Sequence, residues 1–290
     1  MKRETLILFF ITGLIFFSYL YWEKEKMEET KESITYFPPD PNASFFQTST
    51  DLQYEGRKKK WFEITLRSFS NFDQRAYLRQ DVTFLFANGR LIGKVSNWKR
   101  DVRELEMKKT FPFNEDALFQ AITFHHSEIH ESNEKITSVQ ALSEDELYVV
   151  KTGASTIHFH EPKTKEEALW KEMLDQKSEE TLKNSKQFAT QTGHIQPILY
   201  DPIPLTKLAT YSNEPFPHYS MEETRRIIGQ LMEGLYKNYF FGMKNQEGAI
   251  IPPLGSSIPI IWIPKNKNHL FITIETSDGQ MIILQQNIQS

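Results

Sequence analysis

The sequence predicts an α+β protein: a single N-terminal transmembrane helix followed by an extracytoplasmic domain of antiparallel hairpins and two to three helices. Three observations carry that prediction. Thr5 to Trp22 is an uncharged apolar run. Asn88-Gly89 and Asp278-Gly279 each join two apolar stretches of strand character. Thr164 with Glu167, and Ser220 with Glu223, have the spacing of capping boxes at helix starts.

Eleven of the eighteen residues from Thr5 to Trp22 are Leu, Ile or Phe, enough length and apolarity to cross a hydrocarbon core. Lys2 and Arg3 precede the run, whereas five Glu and three Lys occupy residues 23–32, so the charge asymmetry keeps the N-terminus in the cytoplasm. Tyr19, Tyr21 and Trp22 sit where the segment leaves the bilayer, in the layer that amphipathic rings favour. No small-x-small pair follows, so the segment reads as an uncleaved signal anchor and not a signal peptide. With no cysteine in the chain, lipoprotein processing, disulfides and thiolate chemistry are excluded.

These features divide the chain into a cytoplasmic tail at 1–4, an anchor at 5–22, a charged stalk and Pro-rich linker at 23–60, a β-rich subdomain at 61–163 and an α+β subdomain at 164–290. Trp61 to Arg67 alternates apolar and polar residues as the first strand. In the Asn88-Gly89 hairpin, a two-residue loop sets Phe86 opposite Leu91 and Val82 opposite Val95, leaving one face apolar apart from Gly93. A second hairpin is expected from Ile136 to Lys151 with its turn at Ser143-Glu144-Asp145-Glu146, and a third links Leu270–Ile274 to Met281–Leu284. A helix is expected from about Glu115 to Glu131, where Leu118, Ala121, Ile122, His125 and Ile129 share a helical face; a strand is the alternative. The helix after Ser220 continues through Ile227, Ile228, Leu231, Leu235 and Tyr239 to a stop at Gly242.

Chemistry is sparse. His126 with His130, and His158 with His160, have spacings that can chelate zinc, but His126-Ser127-Glu128-Ile129-His130 departs from H-E-x-x-H, and solvated or hydrogen-bonded histidines are the simpler reading. Gly255-Ser256-Ser257 lacks the second glycine of a nucleophile elbow. No phosphate-binding glycine loop occurs, and beyond residue 32 the 29 basic and 32 acidic side chains give no argument for nucleic acid. No cofactor, metal ligand or catalytic residue is therefore assigned. Arg57-Lys58-Lys59-Lys60 is a dense basic run that reads first as a solvated linker charge run; contact with anionic lipid heads or wall polymers is the alternative if the spacer is short.

The uncharged stretch Ala249 to Pro264 offers Ile260 and Trp262 as candidate partner-docking residues, on the premise that they stay exposed on an apolar edge strand. Lys outnumbers Arg 24 to 10, the bias of an AT-rich bacterial genome. Together these features describe a membrane-anchored, non-catalytic binding or regulatory protein of the bacterial cell envelope. Its partners would be the bilayer, through residues 5–22, and another membrane or envelope protein. An envelope hydrolase or metal-binding protein is the alternative.

Overall fold

Antiparallel pairing organises the computed structural model, which describes residues 37–58, 60–130, 135–153, 155–191, 195–244, 248–265 and 268–288. The transmembrane helix expected at 5–22 and the stalk up to residue 36 lie outside the described residues. Among those described, no helix is long and apolar enough to cross a membrane. The α+β class holds: among the described residues, three principal antiparallel sheets are joined by two α-helices and shorter helical turns.

The first sheet has the order β1-β2-β5, from β1 (Phe45–Lys58), β2 (Trp61–Ala76) and β5 (Val102–Phe113). The second has the order β4-β3-β6-β7-β8. It comprises β3 (Leu78–Ala87), β4 (Arg90–Lys99), β6 (Ala117–His130), β7 (Ile136–Thr152) and β8 (Ser155–Phe159). Alternation along β6 makes this sheet the middle layer. Ala117, Phe119 and Ala121 pack with Leu52, Phe62 and Ile64 of the first sheet, whereas Ile122 and Phe124 pack with the C-terminal half.

That half contains α1 (Lys165–Gln191), β9 (Tyr200–Pro204), a 3-10 stretch at Leu205–Ser212, α2 (Met221–Leu235) and a π turn at Tyr236–Phe240. Two short strands follow, β10 (Met243–Lys244) and β11 (Ile250–Ile251), then β12 (Ile260–Pro264), β13 (His269–Glu275) and β14 (Met281–Asn287). The last three join β9 in the order β14-β13-β12-β9. The largest core mixes Val82, Phe84 and Phe86 of β3 with Leu182 of α1, Leu231 of α2 and Ile261 of β12, so strands before Thr164 and elements after it share one interior.

Both capping boxes form. Glu167 N donates to Thr164 Oγ1 at 3.1 Å and Glu223 N to Ser220 Oγ at 3.2 Å, while each glutamate accepts the cap residue's amide. All five residues expected on the inner face of α2 and its extension are buried. Asn88 and Gly89 carry the expected positive φ angles of 48° and 80°. Gly89 is also needed for space, because a Cβ there would lie 3.0 Å from Ser178 O and 2.9 Å from Thr181 Cβ on α1. Phe86 does oppose Leu91. A register shift at Ile92 then pairs Val82 with Ser96, not with Val95 as a regular two-residue hairpin requires. Gly93 leaves room for the ring of Phe111, which would meet a Cβ at 2.4 Å.

Three expectations need correction. The stretch expected as a helix from Glu115 to Glu131 is β6, paired along its length with β3 and β7. Ser143 to Glu146 is no turn: it lies within the 17-residue β7, opposite Thr123 to Gln120. Residues 45–58, read as linker, form β1, held by twelve paired positions on β2. Arg57 and Lys58 of the basic run lie at the far end of that strand, about 40 Å from Phe45 at roughly 3.3 Å per residue. There Arg57 Nη1 donates to Gly153 O at 2.9 Å and Lys58 pairs with Glu63 at 2.7 Å.

Candidate functional site

The polar residues that the alternation of β3 and β6 points at the first sheet converge between the two layers. On β3, Arg79, Asp81 and Thr83 share the face of Leu85; on β6, Thr123, His125 and Ser127 share the face of Ala121. The side chains of Arg79, Asp81 and His125 are all fully buried. Arg79 Nη2 donates to Ser70 Oγ at 2.7 Å, and Ser70 Oγ donates to Asp81 Oδ2 at 2.7 Å. The guanidinium also donates to the carbonyls of Arg103 at 2.9 Å and His126 at 3.3 Å, and lies over the rings of Phe45 and Phe72. Burial holds the guanidinium pKa below its ordinary value, and the charge of Asp81 works against that shift.

From Asp81 the polar line continues to a serine. His125 Nδ1 is 2.9 Å from Asp81 Oδ2, and His125 Nε2 is 2.8 Å from Ser143 Oγ. Acid, imidazole and hydroxyl thus stand at the spacings of a nucleophile relay. Three features separate the arrangement from one. The Asp81 oxygen lies off the line of a ring N–H. Ser143 Oγ also contacts Thr50 Oγ1 at 2.6 Å, and Thr50 continues to Thr123 and Thr83 at 2.7 and 2.8 Å. Finally, Ser143 sits within a paired strand and not on a sharp turn that would present its hydroxyl to a substrate. In this conformation the line ties β1, β2, β3, β6 and β7 together.

Of the two histidine pairs singled out by spacing, one shares a glutamate and the other is split between different partners. His126, Glu128 and His130 alternate on one face of β6, with Glu128 3.5 Å from His126 Nε2 and 3.4 Å from His130 Nε2. Burial raises the Glu128 pKa, but the hydrogen bonds and charges of the two imidazoles outweigh it and leave the carboxyl below its usual range. His158 stacks on Tyr54, whereas His160 Nδ1 lies 2.7 Å from Glu146 O. Among the described residues no three His, Cys, Asp or Glu are placed to hold a metal ion. Ser256 and Ser257 are buried, bonded to Tyr239 and Ser185; His269 instead meets Tyr200 OH at 2.9 Å.

Ile260 and Trp262 are core residues of β12, flanked on both sides by β9 and β13. They form no exposed patch, and a partner would have to open the sheet to touch them. Pro264 ends the strand and Pro259 precedes it; Pro202 and Pro204 sit on β9, the edge strand of that sheet.

An open cleft of about 680 Å³ lies where α1 crosses β6 and β7. Two ion pairs cross it: Lys207 with Glu146 at 2.7 Å, and Lys171 with Asp175 at 2.7 Å. Tyr148 donates to Asp175 at 2.8 Å. Burial, followed by that bond, raises the phenol pKa and keeps it a neutral donor. No nucleophile faces a base in this cleft.

Sequence reading missed Arg79, Asp81 and Ser70. The available signal was period two: a charged pair at i and i+2 on β3 shares a face with Thr83 and Leu85, the face a sandwich must bury. No protein-family model matches the chain, and neither a curated protein nor a solved structure matches it.

Proposed function

We propose that the chain is a bilayer-anchored protein of the bacterial cell envelope whose extracytoplasmic domain acts by binding or regulation and not by catalysis. The observation that carries the reading is the N-terminal pattern: an uncharged eighteen-residue segment from Thr5 to Trp22, basic on its leading side and acid-rich on its trailing side. The burial of Arg79, Asp81 and His125 supports the non-catalytic part, since a substrate cannot reach charges sealed between two sheets.

The topology has a direct test, because the chain has no cysteine of its own. Ser290→Cys in the full chain should react with a membrane-impermeant maleimide on intact cells, and the protein should stay with membranes after an alkaline wash. Reaction only after lysis would reverse the orientation, and release by alkali would remove the anchor.

The hydrolase reading rests on the Asp81–His125–Ser143 line. A fluorophosphonate probe, which phosphonylates activated serines with loss of fluoride, should leave the folded chain unmodified. Labelling that disappears in Ser143→Ala would replace the binding reading with a hydrolase.

A further inference from the structure

We infer that the end of the sandwich where the chain comes in from residues 1–36 seats on the headgroup layer of an anionic bilayer, through Trp98, Tyr77 and Arg100. The inference rests on the anchor reading above and adds a surface to it.

The position of that end follows from backbone bonds. Ser138 N donates to Pro38 O and Asp40 N to Ser138 O, each at 2.9 Å, so the chain enters beside the start of β7. Ser44 N then reaches Asp73 at the end of β2. The same end carries the corner between β2 and β3 at Tyr77, the turn between β4 and β5 at Lys99 to Asp101, and the last residue of β6, His130. Fourteen residues, 23–36, separate Trp22 from the first described residue. Fully extended, fourteen residues reach at most about 50 Å, which bounds the distance from this end to the point where the proposed anchor leaves the bilayer.

The side chains there have headgroup chemistry. Trp98 is 58% exposed and Tyr77 48% exposed, and Arg100 lies 5.6 Å from the Tyr77 ring and 5.9 Å from the Trp98 ring. Tyr77 is fixed by stacking on His130 at 3.8 Å. Amphipathic rings beside a guanidinium suit a layer that offers phosphates above and acyl chain below. Among the described residues Lys99, Arg100 and Arg103 form no ion pair. Of the acidic groups described at this end, Asp101 is held by Arg75, Glu128 by two histidines, Asp73 by Ser44 and Asp40 by Thr137, leaving Glu104 uncommitted. Each free cation near an anionic surface contributes about 1 kcal/mol of attraction. The basic run at Arg57 to Lys60 lies at the opposite end of β1, so this tether favours Lys99 and Arg100 instead.

The test uses the full chain in vesicles of phosphatidylglycerol and phosphatidylethanolamine, with one cysteine at Lys99→Cys or at Lys60→Cys carrying an environment-sensitive fluorophore. Emission from position 99 should shift to the blue and be quenched by lipids brominated near the headgroup, while position 60 stays aqueous. Adding Trp98→Ser and Arg100→Gln should abolish the shift at 99 with the circular dichroism unchanged. Equal aqueous emission from both positions, with the chain retained after alkaline washing, overturns this inference and leaves the anchor standing. Release by alkali overturns both. A shift at 99 that persists in lipid-free detergent and grows with protein concentration assigns the surface to a second copy of the chain and overturns the bilayer assignment.

Discussion

Asp81→Ala should destabilise the folded chain by about 3–5 kcal/mol, because it leaves the guanidinium of Arg79 buried without its counter-charge. In a folded unit of this size that is a fall of about 6–20 °C in the thermal midpoint. The guanidinium keeps its bonds to Ser70 and to two carbonyls, but each is a neutral acceptor, and both Arg79 and Asp81 are fully enclosed. Arg79→Ala should cost a similar amount by stranding Asp81 beside His125. Arg79→Met with Asp81→Val should cost much less than the two single changes together, since apolar side chains of similar volume remove the desolvation penalty along with the charges. Denaturant unfolding of the four proteins followed by circular dichroism measures the cycle. Additive losses would mean that the two charges are solvated separately and do not form the centre of a network.

The network was illegible for the reason that misled the reading of β6. In a strand with one solvent face, apolar and polar residues alternate and the period is plain. β6 is covered on both faces: Leu118, Ile122 and Phe124 turn to the C-terminal half, and Phe119 and Ala121 to the first sheet. Apolar residues then fall at nearly every position, and a helical stripe through Leu118, Ala121, Ile122, His125 and Ile129 can be drawn through them. Asp145 misled in another way. Its carboxylate accepts from the amide of Leu52 at 2.7 Å, a partner 93 residues away, so a polar stretch with three acids that resembles a turn is accommodated inside a strand. β1 is largely polar and holds its place by pairing with β2, which no local pattern announces. Signals that act within a few residues did carry through: the left-handed pair Asn88-Gly89, the two capping boxes and the C-terminal hairpin.

Trp262→Asp should largely unfold the domain. The indole is 2% exposed, lies on β12 between β9 and β13, and donates from Nε1 to Thr273 Oγ1 at 3.0 Å. Losing a buried Trp side chain costs about 3–5 kcal/mol through lost transfer energy and the cavity left behind. The aspartate adds a carboxylate on the buried face that Ile260 shares, with the neutral Thr273 hydroxyl beside it and no counter-charge, and such a charge costs several kcal/mol more or forces the group to protonate. The sum is comparable with the whole stability of an ordinary domain, about 5–15 kcal/mol. Trp262→Phe separates the contributions: it keeps most of the ring contact and strands the Thr273 hydroxyl, so it should cost about 1–3 kcal/mol and leave the fold intact. Circular dichroism and the thermal midpoint of the two variants decide the matter. A Trp262→Asp protein that melts within a few degrees of wild type would mean that the side chain is solvent-facing and free for a partner, and the packing of β12 described here would then be incorrect.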